Sequence, residues 1–462
     1  MTELHKRGIA DLAADYKSGA HTPSEAVAAC LSQIERLEPK IQAFEIVLKD
    51  AALEAAEAAT RAIAAGHRIG PFHGIPFALK DLIDVEGHVT TGGSNAYADR
   101  VASSSATIAK RLIAGGGVLI GKTKTVEVAY GPWGTNQQRG TPWNPWDADT
   151  HRAPGGSSSG SGAATSAGLT ACAVGTDTGG SVRIPSAFCG LTGLKVTEGR
   201  LPLEGILPLS HTLDTPGPMC RSVVDAAIMY VTMDGAEPGK IDHDLTTSQG
   251  VFGAMTEGIA GLTLGVLTQA DREFLDPEVR ESYGDALGRL ESLGAEIVEL
   301  TLPRSIDHMR WAVATLIGSE GYYHHGATYE DPANLMDSDI EKRIMAGKAV
   351  TANEYIGALQ ERLEVRQEFL KAMRGMAAIV SPTTPITAPV VAEIDQDSAP
   401  SQLTRMANYL GFCALAQPMG IAGNGLPMSL QIMAPGRHET TALRIGKAFE
   451  DDFGGIGWPQ LA

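Results

Sequence analysis

Apolar positions in the N-terminal part recur at helical spacing. Val27, Cys30, Leu31, Ile34 and Leu37 share one face of the stretch that begins "HTPSEAV". Thr22 stands as the N-cap, Pro23 at the first helical position and Glu25 three residues on, which is a capping box. A second, Ala-rich helix is predicted over residues 49–65. The pattern then changes to short apolar runs, "GIPFALKDLIDV", "GGVLIGKT" and "LTACAVGTDT", separated by helical segments such as "SATIAKRLIAGG". Farther on, "LTLGVLTQ" and "AEIVELTL" predict strands on either side of the helix "PEVRESYGDALGRLESLG". Residues 305–375 are mostly helical and include "GYYHHG", and a last helix is predicted around "ETTALRIGKAFE". Strands alternating with helices indicate an α/β architecture around a largely buried sheet. No internal repeat or inter-domain linker interrupts the pattern, so one continuous domain over residues 1–462 is expected. The Pro-containing stretch "TPITAPVVAEIDQDSAPSQ" reads as the most flexible loop after residue 250.

Composition narrows the function classes. The chain has 462 residues, 43% hydrophobic and 20% charged, the balance of a soluble globular protein. A net charge of −17 argues against a nucleic-acid surface, which needs clustered cations to neutralise phosphates. No apolar run approaches the roughly 20 residues of a membrane span. The charged start "MTELHKRGIADLAADYKSG" lacks the apolar core of a signal peptide. Cys30, Cys172, Cys189, Cys220 and Cys413 form no CxxC pair, and an odd count suits reduced thiols. A cytoplasmic location is therefore expected. Metal-ligand spacing is lacking, since His324-His325 is a bare pair; neither a metal nor another cofactor is expected.

Between Gly155 and Gly162 the chain is only glycine and serine, a composition shared with flexible linkers. Its context is different. The run feeds "AATSAGLT", small residues suited to a tightly packed helix, and then the strand-like "ACAVGTDT". A glycine-rich turn leading into a helix presents free backbone N–H groups. A second Gly-Gly-Ser turn, ending at Ser181, stands at the far end of the same helix–strand unit. If helix and strand pack antiparallel, Ser157 and Ser181 become neighbours. Lys80, among Ile75, Phe77, Leu79 and Leu82, is the candidate base. Apolar surroundings disfavour a charged amine and lower its pKa toward neutrality. The alternative for Lys80 is a surface lysine paired with Asp81.

Two rival motifs fail on context. Gly116–Thr123 fits the P-loop pattern letter for letter, but a P-loop needs strand, loop and helix in that order. Here the helix comes first, and Val118, Leu119 and Ile120 belong in a sheet. "GSSSG" around Ser158 fits a nucleophile elbow, with His211 as a conceivable partner, yet a loop-like "NPWDADTHRAP" precedes it instead of a strand.

Taken together, "GIPFALKD", "GGSSSGSGAA" and "GTDTGGSVRIPSAFCGLTGLKVT" resemble the amidase signature family. The N-terminal helices, "SHTLDTPGPMCRSVVDAA", "SPTTPITAP" and the C-terminal segment extend the resemblance over nearly the whole chain. It implies a central mixed, twisted sheet covered by helices on both faces. Helices over 1–65, a signature core over about 70–225 and a variable helical substrate region over about 305–375 would make up the domain. The resemblance implies a triad of Ser181 as nucleophile, Ser157 as bridging serine after a cis peptide bond to Gly156, and Lys80 as base. Backbone N–H groups of Thr178, Gly179, Gly180 and Ser181 would form the oxyanion hole. Asp177 and Arg183 would form an ion pair fixing the loop, and Arg183 could alternatively bind a substrate carboxylate. Tyr130 and Trp133 are candidate substrate contacts, with Trp311, Tyr322 and Tyr323 as further aromatics.

The resemblance covers stand-alone amidases, carbamate hydrolases and the glutamine-hydrolysing subunit of tRNA amidotransferases. "GRLPLEGILPLSHTLDTPGP" is similar to the version in stand-alone enzymes for small or aryl amides. With no further cation evident near the catalytic turn, a small neutral, apolar or aryl amide is the expected substrate. Carbamates (urethanes) and esters share its acyl-transfer chemistry. No nucleic-acid or membrane partner is expected, and the chain would act as a monomer or homodimer. Two alternatives remain: the glutamine-hydrolysing amidotransferase component, or a non-catalytic partner subunit.

Overall fold

Thr22 caps the helix Pro23–Ile41 as its sequence predicts, its side chain accepting from Glu25 N while the Glu25 carboxylate accepts from Thr22 N at 2.8 Å. The buried face carries Val27, Cys30, Leu31, Ile34 and Leu37. The Ala-rich helix runs over Lys49–Ala64. These details come from a computed structural model that describes residues 3–235 and 250–461. The ends of the expected 1–462 domain, including the first two residues of its N-terminal segment, lie outside the described residues.

Eleven strands form one mixed sheet among the described residues. The first four are β1 (Phe44–Val47), β2 (Pro76–Lys80), β3 (Val118–Thr123) and β4 (Cys172–Asp177). β5 (Thr192–Lys195), β6 (Thr215–Cys220), β7 (Thr263–Leu267) and β8 (Glu296–Leu300) follow. The last three are β9 (Ala378–Pro382), β10 (Cys413–Ile421) and β11 (Pro427–Ala434). Their order across the sheet is β1-β3-β2-β4-β6-β5-β10-β11-β9-β7-β8. Helices supply the connections except from β5 to β6 and in the β10–β11 hairpin, so the expected α/β class holds. The run from Gly116 to Thr123 ends as β3, preceded by the helix Thr107–Ala114, which is the wrong order for a phosphate loop.

One element departs from the sequence reading. β1 lies within the segment expected to be helical and pairs antiparallel with β3 at the sheet edge. Four residues between two long helices are too few for an alternating pattern to stand out.

β2 lies between β3 and β4 and runs parallel to both, with Leu79 opposite Val174. The C-terminal ends of β2 and β4 therefore meet at one edge, where open α/β sheets place their ligands. The helix Ser159–Ser166 packs against this edge with every residue buried. A Cβ at Gly160 would overlap the Ala43 carbonyl and the Lys124 amide, so only glycine allows the approach. The Gly/Ser run is thus a packed helix start and not a linker.

Candidate active site

Lys80 is the last residue of β2 and is fully buried, at 0% exposure. Its Nζ lies 2.7 Å from Ser157 Oγ and 2.8 Å from Thr176 Oγ1. Burial pulls the amine down to about 7, while Asp214 and Asp177 act in the opposite direction without cancelling it. Pairing with Asp81, the alternative for this lysine, does not occur. Asp81 instead pairs with the buried Lys122 at 2.6 Å.

Ser157 is also at 0% exposure, and the peptide joining it to Gly156 is cis. Its carbonyl accepts from Thr125 Oγ1 at 3.0 Å and from Val126 N at 3.1 Å. Ser158, the centre of the elbow-like motif, is tied down on both sides. Its hydroxyl donates to Thr176 O at 3.3 Å and accepts from Thr176 N at 3.2 Å. The Ser158 amide donates to Ser181 O at 3.4 Å, so the two Gly-Gly-Ser turns do meet. Ser181 alone of the three residues Lys80, Ser157 and Ser181 keeps some exposure, at 8%.

The turn before Ser181 is held from below by Asp177. Its carboxylate accepts from Gly180 N at 2.8 Å and Val182 N at 3.1 Å. Burial would raise this carboxyl, but the Arg183 guanidinium and further hydrogen bonds outweigh it and hold it well below the usual range. Gly180 has φ +135°, and a Cβ there would overlap Thr404 Oγ1. Glycine is required at that position. Because the Gly180 amide is already engaged, it drops out of the expected oxyanion set. Among the described residues no protein acceptor is recorded for the Thr178, Gly179 and Ser181 amides, and the Thr178 hydroxyl donates to Asp214. Burial pushes the Asp214 carboxyl up to about 6.

Arg183 has no donor left for a substrate. Its Nε and Nη2 donate to Asp177 at 3.0 and 2.9 Å, and Nη2 also reaches Asn408 Oδ1 at 2.7 Å. Nη1 donates to Thr404 O and Gln431 Oε1 at 2.7 and 2.6 Å. These contacts use all the N–H groups of a guanidinium. The ion pair is wholly buried, at 0% exposure on both sides. Arg183→Met, which strands the Asp177 charge, is expected to destabilise the fold by about 3–5 kcal/mol in denaturant titration. A variant of unchanged stability with a raised KM would show that Arg183 serves the substrate instead.

A cavity of about 200 Å³ opens beside Thr178 and Gly179, with Tyr130, Gly131 and Pro132 on its wall. The Tyr130 carbonyl accepts from Arg343 Nη1 at 2.9 Å. Trp133, a candidate contact, does not line this space. It is 4% exposed, stacks on Phe188 with centroids 6.5 Å apart, and donates from Nε1 to Ser398 O at 3.2 Å. Trp311 does line the cavity, whereas Tyr323 points outward at 78% exposure. The stretch expected to be the most flexible loop forms part of the wall through Gln396, Asp397 and Ser398. Arg310, Arg343 and Arg405 also line it, so the expectation of no further cation near the turn does not hold. These arginines come from separate segments far along the chain, which no local motif connects. Thr176 was missed as well, although it stands one residue before Asp177 in "GTDTGG".

The family model for amidases matches residues 25–443. A glutamyl-tRNA(Gln) amidotransferase subunit from Geobacter metallireducens is 35% identical over 457 residues, covering 92% of this chain and 93% of the relative. The 2-amino-5-chloromuconic acid deaminase of Comamonas testosteroni is 31% identical over 452 residues, covering 96% and 95%. The solved peptide amidase of Stenotrophomonas maltophilia matches with a TM-score of 0.82 at 26% identity, covering 98% of each chain. The chain belongs to the amidase family, whose enzymes hydrolyse C–N bonds.

Proposed function

We propose that this protein hydrolyses the C–N bond of a small amide through an acyl-enzyme on Ser181. The observation that carries the reading is the 2.7 Å contact between Ser157 Oγ and a buried lysine whose amine is brought down to about 7. Neutral Lys80 accepts a proton from Ser157 as Ser157 takes the proton of Ser181. The Ser181 oxygen then attacks the carbonyl carbon. The Thr178, Gly179 and Ser181 amides receive the developing oxyanion. Collapse breaks the C–N bond, and the relay returns the proton to the departing amine. Water then attacks the acyl-enzyme through the same relay and releases the carboxylic acid.

The apolar wall supplied by Leu209, Ile317 and Trp311 suits an apolar or aryl body. Carbamates and esters present the same planar carbonyl and are expected as weaker substrates. The likeness to an amidotransferase component supports a second reading, in which glutamine is hydrolysed for a partner enzyme. A non-catalytic role is disfavoured, because the Lys80–Ser157 contact is kept in full. Purified chain alone, assayed against acetamide, an anilide, a carbamate and glutamine, separates these readings. Turnover of glutamine only, and only with added partner proteins, would overturn the stand-alone amidase.

Ser157→Ala leaves the nucleophile but breaks the relay. A loss of roughly 10²–10⁴-fold in kcat is expected, with little change in KM. Full activity in this variant would remove Ser157 from the proton path.

A further inference from the structure

Positive charge is concentrated where the cavity meets the turn. Arg405 belongs to the helix Thr404–Tyr409, and its side chain passes directly over Gly179. A Cβ built on Gly179 would lie 3.6 Å from Arg405 Cγ and 3.7 Å from its Nε. Arg405 Nη1 donates to the Arg310 carbonyl at 3.0 Å, while its Nε is buried with no hydrogen-bond partner. Arg310 stands on the same wall, reaching Asp307 at 3.3 Å, and Arg343 is spent on Tyr130 and Gln396. The acid on the cavity lining is Asp397, an exposed residue.

A half-buried guanidinium whose Nε is shut off from water, set beside other cations, raises the energy of the empty site. Burial pulls the Arg405 guanidinium down to about 10, with Arg310 and Arg343 adding to the effect and Tyr130 opposing it. It is still charged at neutral pH. An anion bound there relieves the repulsion and satisfies the unpaired Nε, and a planar carboxylate matches the fork of a guanidinium.

We infer that the amide substrate carries a carboxylate, received by Arg405 with Arg310 a short distance from the scissile carbonyl. This rests on the acyl-enzyme reading above and replaces the neutral substrate expected from the sequence. The apolar wall then holds the rest of the molecule. The overall charge of −17 conceals this local reversal of sign.

The test uses two pairs of amides that differ only in charge. Succinamate and 4-methylpentanamide place the group on the acyl side. N-acetylglycine and N-isobutylacetamide place it on the amine side. For each compound the concentration that half-protects Ser181 from a fluorophosphonate is measured, together with kcat/KM where turnover occurs. In the wild-type protein at least one anion should act at about 10²-fold lower concentration than its neutral isostere. Arg405→Gln should bring that ratio close to unity, and Arg310→Gln should lower it less. Equal protection within both pairs would overturn the inference, as would a preference that survives in both variants. A wild-type protein that never labels at Ser181 would overturn the acyl-enzyme reading beneath it, a separate and recognisable result.

Discussion

Ser181→Ala is expected to lower amide hydrolysis by roughly 10⁵–10⁶-fold, the scale seen when a hydrolase loses its covalent nucleophile. No acyl-enzyme can form without the Oγ, so a pre-steady-state burst should disappear as well. The fold should be unaffected, because the change removes one partly accessible hydroxyl and leaves the turn intact. Asp177, itself paired with Arg183, holds that turn through the Gly180 and Val182 amides and not through the Ser181 side chain. Stability within about 0.5 kcal/mol of wild type is therefore expected. The contrast with Ser157→Ala is informative: one change removes the bond-forming atom, the other only the proton path. Comparable losses in both variants, each with an intact burst, would contradict this division of roles.

Lys80→Met should be nearly as damaging, with a loss of about 10⁴-fold. Methionine fills similar space at a site with 0% exposure, so the variant should fold. The diagnostic is the pH profile. The wild-type amine is lowered from its ordinary value to about 7, chiefly by burial. Below that pH it is protonated and cannot accept a proton; above it the neutral form is present. The logarithm of kcat/KM should therefore rise with pH through about 7 and stay high on the alkaline side. Residual activity of Lys80→Met should lack this rise. A wild-type enzyme most active in acid, or a rise that persists in Lys80→Met, would exclude a lysine base.

Much of this arrangement can be read from short stretches of the chain. The capping box at Thr22 and Glu25 works over three residues, and it appears as written. The meeting of the two Gly-Gly-Ser turns follows from one helix and one strand packed back to back, again a local fact. Burial of Lys80 was legible because its neighbours in "IPFALKDL" are apolar and the segment is a central strand. What was not legible depends on distance in sequence or on backbone direction. The glycine at 180 permits the φ of +135°, but whether its amide then faces substrate or Asp177 depends on where the Asp177 carboxylate lies once the turn has formed. Trp133, a candidate contact, is enclosed by Phe188 and Ser398, which come from elsewhere in the chain. The arginines at 310, 343 and 405 converge only after the variable helices and the Pro-containing loop have folded around the turn.

The mechanism requires that Ser181 Oγ be the atom that is acylated. Wild-type protein treated with a fluorophosphonate, digested and sequenced by tandem mass spectrometry reads this directly. A single modified serine, Ser181, is expected, with labelling that quickens as pH rises through about 7 and is lost in Ser181→Ala. Label on Ser158 or Ser157, or unchanged labelling of Ser181→Ala, would contradict it.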